Sequence, residues 1–515
     1  MKKILNKKNA CLIAVCALVS SICLADDFDD FGSFEDSFSS AGQNTVSVTG
    51  KASSDVRAYI DNGGNAEQVE VKAIPEASLG FSYDGKMTDA KINIKLNEDI
   101  ILNHPVDVID EVSVAGYFGN FSVEIGKIKT VWGKGDKLHV IDNFNADDYT
   151  DFIVPEYIDR RIATPMIKLG VDFGFSNLHF EGIYTPLLPT DRFARKGIWT
   201  PAVFSSLEKN VKTSATAQVE SAFSSYNAAL IQASVIAGNE SATEQQKAYA
   251  QQQLTVAASN YMTVLTNANS LNASPDSIYP DMMTLKYGQF GARLTGTAGP
   301  VDFGVSYYNG YYKQPSFNAD KMQTWVSKTL YGTAGESDKF LAYDKKQTFG
   351  LEAAATVWRF NLRAEAAYNL TEDIDGTDTC VHNNSVGWLA GFDIDMPFWN
   401  MNINIQETGS YVLNHEQCVK KTSDVDYDNK GNYSKNKIVL NITTSFINDK
   451  LVPEVTAIYG IETADLVILP KVSFKATDGF SVYASGLYIW CKDSDSEFYE
   501  WRNNSFVNIG ACYQF

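Results

Sequence analysis

The run FGLEAAATVWRFNLRAEAAYN, residues 349–369, decides the fold. Phe349, Leu351, Ala353, Ala355 and Val357 alternate with Gly350, Glu352, Ala354 and Thr356. Beyond Trp358, residues Phe360, Leu362, Ala364, Ala366 and Tyr368 alternate with Asn361, Arg363, Glu365 and Asn369. A strand sends successive side chains to opposite faces, so each arm has one apolar face and one polar or charged face. The next pair repeats the pattern. Trp388, Ala390, Phe392, Ile394 and Met396 oppose Asp393 and Asp395, then Met401, Ile403 and Ile405 oppose Asn402, Asn404 and Gln406.

A soluble sandwich also alternates, so connection length has to choose between the readings. Tight turns are expected near Asp84-Gly85, Gly119-Asn120, Gly174-Phe175, Gly299-Pro300, Trp358, Phe398-Trp399, Asn448-Asp449 and Asp478-Gly479. Longer connections lie between them. Short turns on one side and long loops on the other are the habit of a transmembrane antiparallel β-barrel. The eight hairpins, with the flanking segments near Thr45 to Ile60 and Ser505 to Phe515, predict an all-β barrel of about 16–18 strands spanning 45–515. No window of about 18 residues beyond the N-terminal leader is continuously apolar, and a chain without a spanning helix crosses lipid only as a closed barrel.

The last strand is the most specific signal. Val507, Ile509, Ala511, Tyr513 and Phe515 oppose Asn508, Gly510, Cys512 and Gln514. A strand closing on Phe resembles the assembly signal of bacterial outer-membrane proteins, and the whole resembles large spirochaete-type outer-membrane barrels of porin or channel type. The resemblance implies residence in the outer membrane among its lipids, and engagement of the barrel assembly machinery through the strand ending at Phe515. It also implies passive diffusion of small hydrophilic solutes or ions, with no enzyme activity and no cofactor. A barrel of this size has a water-filled lumen unless something blocks it. Lys91, Lys95, Glu124, His179, Glu181, Glu352, Arg363 and Glu365 are expected to face it, because a packed core holds such groups only at high cost.

Two segments interrupt the strand pattern. Residues 132–162, WGKGDKLHVIDNFNADDYTDFIVPEYIDRRI, mix charges with Trp132, Phe144, Tyr149, Phe152 and Tyr157. So many aromatics suggest a loop folded inward as a pore constriction, with acids facing bases across the gap; the plain alternative is an exposed loop packed on its neighbours. The candidates are Lys134, Asp136, Lys137, Asp142, Asp147, Asp148, Asp151, Arg160 and Arg161, joined by Arg192 and Arg195 unless these two are only a solvated rim. Residues 201–281 are rich in Ala, Ser, Gln and Asn. Val219, Phe223, Tyr226 and Leu230, then Leu254, Ala258, Tyr261 and Leu265, recur at helical spacing. A helical hairpin broken at Gly238-Asn239 is expected in an external loop, with Ser241 and Glu244 capping its second helix. Its narrow stripes suit one helix packing on the other, as a projection or lid rather than a deep plug.

Cys380 and Cys418 lie almost symmetrically about the turn near Phe398, with His382 and His415 beside them. A disulfide is the first reading; a Cys2His2 metal site and free thiols are the alternatives. Cys491 and Cys512 fall at opposite ends of neighbouring strands and should not pair.

Residues 1–25 order basic, apolar and small residues as a secretory signal peptide does, with cleavage expected after Ala25; an acylated Cys23 is the weaker alternative. Residues 26–44 form an acidic stretch, expected to be disordered. A formal charge of −19 argues against nucleic acid as a partner and hints at cations or neutral solutes. A surface adhesin or antigen anchored by the same barrel is the rival reading. An outer-membrane hydrolase is remote, since the five His form no recognisable triad motif.

Overall fold

A computed structural model of the chain describes residues 45–60, 71–152, 157–174, 177–271 and 275–515. The expected signal peptide and acidic stretch lie outside the described residues, as do Phe175 and the side chain of Tyr157.

Eighteen strands form one antiparallel sheet. The first nine are β1 (Thr45–Tyr59), β2 (Val71–Asp84), β3 (Thr88–Asn97), β4 (Ile109–Phe118), β5 (Phe121–Ile128), β6 (Thr164–Phe173), β7 (Leu178–Thr185), β8 (Gln289–Ala298) and β9 (Val301–Tyr311). The others are β10 (Lys345–Val357), β11 (Phe360–Thr371), β12 (Ser385–Asp395), β13 (Asn402–Val412), β14 (Ser434–Thr443), β15 (Leu451–Gly460), β16 (Asp465–Lys475), β17 (Phe480–Cys491) and β18 (Phe506–Gln514). Each pairs with its sequence neighbours, and β18 pairs with β1 from Lys51↔Gln514 to Tyr59↔Phe506, which closes the ring. Closure removes the edge strands that an open sheet would leave unpaired.

Seven of the eight expected turns join strands at one end of the ring, where Thr45 and Phe515 also lie; the eighth, at Gly174-Phe175, runs partly outside the described residues between β6 and β7. Gly119 and Gly299 take left-handed backbone there, at φ 64° and 62°, which costs glycine little. Trp358 adopts the same region at φ 59° and leaves its ring exposed at this end, as Phe398 and Trp399 do. The other end carries the long connections, except for 461–464 between β15 and β16.

Alternation becomes two surfaces. Val114, Phe121, Ile125, Leu169, Phe290, Phe349, Leu351, Val472, Val507 and Ile509 are exposed around the outside. Thr348, Glu352, Glu365, Asn404, Gln406, Asn441 and Asn508 are buried inside. An apolar belt running round a closed barrel is far more exposed apolar surface than a soluble monomer carries.

Helices occupy the long-loop end. In 186–288 stand α1 (Ala202–Ala237) and α2 (Glu244–Ser270), roughly 54 and 40 Å long at about 1.5 Å per residue. The capping box is Thr243 with Gln246, not the expected Ser241 with Glu244. Glu244 is already the first helical residue, so the third helical position falls on Gln246, while the Ser241 N–H donates to Asn239 Oδ1 at 2.9 Å. The expectation that the hairpin packs only on itself is also corrected. Val211, Ala215, Ala222 and Val264 share a core with Met322, Trp325, Val326 and Leu330 of α3 (Ala319–Leu330). The spacing of those four residues is helical, and Asn318 caps the helix by accepting from the N–H groups of Asp320 and Lys321.

Candidate functional site: a loop pinned inside the barrel

The connection from β5 to β6 turns into the lumen. Asn145 ties its neck: its Oδ1 accepts from the Thr130 N–H at 2.8 Å, and its Nδ2 donates to the carbonyls of Ile128 at 2.9 Å and Ile162 at 3.0 Å. Trp132 is fully buried and donates through Nε1 to Glu181 of β7 at 2.5 Å. Its ring meets Phe144 edge-on at 5.0 Å, and Phe144 meets Tyr308 of β9 at 5.2 Å. With Ile128, Ile141, Met166, Ile183 and Ala367 these rings make an apolar core inside an otherwise polar barrel. Of the aromatics noted in the sequence, Trp132 and Phe144 fix this part of the loop to the wall, whereas Tyr149 stacks on Phe193 of a neighbouring loop.

Glu365 of β11 holds the middle of the loop. Its Oε1 accepts from the N–H groups of Lys134 and Gly135, each at 2.8 Å, and lies 2.9 Å from His139 Nδ1; its Oε2 accepts from the Val140 N–H at 2.8 Å. A carboxylate with both oxygens engaged by oriented donors is a strong clamp. Farther on, Asp136 meets Arg363 and Asn404, and the Lys137 N–H reaches Gln406 of β13 at 3.4 Å. Burial, with the nearby charge of Asp393, holds the Asp136 carboxyl above the usual carboxylate range even though Arg363, Asn404 and Lys137 pull it down.

The return limb is pinned on the other side. Asp142 pairs with Arg161, and Asp147 lies 3.8 Å from Arg160 and from Arg161. Arg192 bridges Asp148 at 3.0 Å and Asp107 at 2.5 Å. Asp151 takes two bonds from Arg57 of β1, at 2.6 and 2.9 Å, and Phe152 stacks on Trp199 at 5.4 Å. The loop therefore reaches from its root at β5 and β6 to β13 in one direction and to β1 in the other.

This arrangement changes the reading of the candidate charges. They were expected to face one another across an open gap. Instead Asp136, Asp142, Asp147, Asp148, Asp151, Arg160, Arg161 and Arg192 pair in direct contact, fastening loop to loop and loop to wall. Arg195 is not brought to the loop: it is exposed and lies over Phe204 at 4.3 Å, beside the first turn of α1. Lys134 lines a cavity of about 490 Å³ toward the short-turn end, with Asp172, His179 and Asp302.

The wall residues face inward in oppositely charged sets. Lys91 meets Glu111 at 2.8 Å, Lys95 meets Glu76 at 3.5 Å, Lys168 lies between Glu124 at 3.6 Å and Glu181 at 3.4 Å, and Arg293 meets Glu352 at 2.6 Å. His179 bonds Asp172 at 2.6 Å near the short-turn rim, while the oxygens of Glu181 serve Trp132 and Lys168. Glu181 lies two residues farther along the strand, deeper in the barrel.

The cysteine expectation is corrected too. Cys380, Cys418, Cys491 and Cys512 are free thiols, and no cluster of potential metal ligands occurs among the described residues. Cys418 is buried and accepts from Asn383 Nδ2 at 3.2 Å. His382 bonds Asp344 at 2.6 Å, and His415 stacks on Tyr433 at 4.8 Å. Symmetry about the hairpin turn aligns β12 and β13 only as far as the Ser385↔Val412 pair. Beyond it the loops diverge, and His415–Cys418 coil into a short helix.

His382 links three loops, since Asp344 lies in 312–344 and Asp426, which accepts from the Asn383 N–H at 2.6 Å, lies in 413–433. Burial alone lowers the His382 pKa, but the Asp344 hydrogen bond and the charges of Asp426 and Asp344 outweigh it and raise the value above the ordinary one, against the opposing Lys346. The raised folded value means that the clamp's stabilisation is complete below about pH 6.5 and is lost as pH climbs through the folded pKa. Hydrogen-exchange protection of the His382 and Asn383 amides, corrected for intrinsic rate, should fall as pH rises through the raised folded pKa of His382. A flat profile would remove the clamp.

No family model and no curated protein matches the sequence, so the narrower spirochaete-type resemblance has no relative to rest on. Solved structures similar in outline are outer-membrane porins and channels. The Salmonella typhi OmpF complex with daunomycin is 10% identical, with a TM-score of 0.36 over 92% of this chain and 98% of that one. The outer membrane channel DcaP of Acinetobacter baumannii is 9% identical, with a TM-score of 0.38 over 92% and 100%. Pseudomonas aeruginosa OpdO is 9% identical, with a TM-score of 0.42 over 91% and 96%. The barrel stands on its own strand pairing.

Proposed function

We propose that the chain is an outer-membrane channel for passive diffusion of small hydrophilic solutes or ions, narrowed by the loop at 132–162. One observation carries this reading: a closed ring of 18 strands, apolar outside and charged inside, with a loop pinned into the lumen by side chains of the wall. The apolar belt suits outer-membrane lipid, and the exposed Trp358, Phe398 and Trp399 suit its interfacial zone. On this reading the leader is removed after Ala25, and the strand ending at Phe515 is recognised by the barrel assembly machinery. Clamped charges make the loop a rigid partial diaphragm, so solutes are sorted by the gap it leaves and by the groups along that gap.

An adhesin anchored by the same barrel has one feature in its favour, the long hairpin with Ile231, Val235, Tyr249 and Val256 exposed. The deciding experiment refolds the chain from Asp26 into a planar bilayer and records current across a salt gradient. Stable ohmic steps with a reproducible reversal potential are expected. Silence from protein that still shows heat-modifiable barrel migration would overturn the channel and leave the adhesin.

A further inference from the structure

On the inner wall Lys91, Lys95 and Lys168 each have a carboxylate. Lys313 and Lys346 differ. Lys313 lies two residues beyond the end of β9 and Lys346 lies on β10, and each Nζ is 6.0 Å from the centre of the Tyr308 ring. Lys313 donates to Gln289 Oε1 at 2.7 Å, and Lys346 donates to Asn143 Oδ1 at 2.7 Å while lying 4.7 Å from the centre of the Tyr312 ring. Those neutral acceptors use one of the three donors on each ammonium group. Neither group lies in salt-bridge contact with a carboxylate among the described residues.

The acids nearby are committed elsewhere. Asp191 accepts from the Asp147 N–H at 3.0 Å and from Gln314 Nε2 at 3.1 Å, and Asp142 pairs with Arg161. Burial and the charge of Lys346 push the Lys313 pKa well down, although the charges of Asp191 and Asp142 pull it the other way. Both lysines keep part of their surface open. They sit where the loop meets the wall, since Asn143 belongs to the loop and Gln289, Tyr308 and Lys346 to the barrel.

We propose that Lys313 and Lys346, with Asn143, Gln289 and the rings of Tyr308 and Tyr312 around them, form a binding subsite for an oxyanion, the carboxylate or phosphate group of a small solute. An arriving oxyanion takes the unspent N–H donors and relieves the repulsion between two ammonium groups, whereas a cation finds no uncommitted carboxylate beside them. The subsite deepens the channel reading and rests on it for its place along a solute's path. It also runs against the hint from the whole-chain charge of −19, because selectivity is set by the groups at the narrows.

The test titrates sodium phosphate, and separately sodium succinate, into the detergent-solubilised chain at neutral pH by calorimetry, and adds the same salts during single-channel recording. Saturable binding is expected, weakened about tenfold in K313Q and in K346Q, as loss of one charge-assisted contact predicts. The double variant should lose more, K313R should recover affinity, and K209Q on α1 should match the unaltered chain. Binding of succinate alone marks a carboxylate subsite, and binding of phosphate alone a phosphate subsite. Unaltered chain that binds neither salt at millimolar concentration overturns the proposal whatever the variants do. So does a double variant that migrates as a folded barrel and binds as tightly as the parent. Lysine-dependent binding without conductance keeps the subsite and sinks the channel; conductance without such binding does the reverse.

Discussion

Glu365→Ala should detach the middle of the lumen loop while leaving the barrel closed. The lost carboxylate accepts from three backbone N–H groups and contacts His139, and its own side chain is fully buried. A buried donor left without a partner costs about 1–3 kcal/mol, and lumen water can replace only some of these contacts, so a loss of about 3 kcal/mol or more in loop stability is expected. The measurable signs are faster amide exchange at Lys134, Gly135 and Val140, and a larger, noisier single-channel conductance. Glu365→Gln keeps one acceptor oxygen and should fall between the two. A Glu365→Ala protein with parental exchange rates and parental conductance would show that the loop is held by its apolar contacts alone.

Replacing residues 134–151 with a Gly/Ser linker should have the larger effect on flow. It removes the Glu365 clamp, Ile141 and Phe144 from the wall cluster, and the carboxylate of Asp151 that Arg57 grips. With the diaphragm gone, conductance should rise several-fold and discrimination between small and large ions should weaken, because a wide ring of 18 strands then sets the bore. The barrel itself should persist, since strand pairing lies outside the excised segment. Unchanged conductance would mean that solutes never pass the loop, and would end its role as a constriction.

The two variants probe different kinds of information in the chain. The strands around Trp358 were legible because strand alternation is a local property: Leu351 and Glu352 point opposite ways whatever the rest of the protein does. The turn positions were legible for the same reason, and so were the two long helices. The α3 helix was missed although Met322, Trp325, Val326 and Leu330 carry helical spacing, because a 12-residue segment inside a long loop gives little context. The loop's aromatics signalled inward packing. Its charges did not signal their partners.

Glu365 illustrates the limit. Its place on a polar face could be read from the chain, but the groups it holds lie 225 to 231 residues away. Arg57 and Asp151 are 94 apart, and the symmetric spacing of Cys380 and Cys418 suggested a bond that diverging loops do not make. By itself, then, the sequence determined a closed barrel with an apolar exterior, a charged interior, eight tight turns at one end and an inserted helical pair. Only the tertiary structure decided which charges fasten the loop, and that Lys313 and Lys346 meet at the Tyr308 ring with no salt bridge among the described residues. Alternation is written residue by residue along the backbone, whereas ion pairing depends on distances of a few ångströms between segments that meet only when the ring closes.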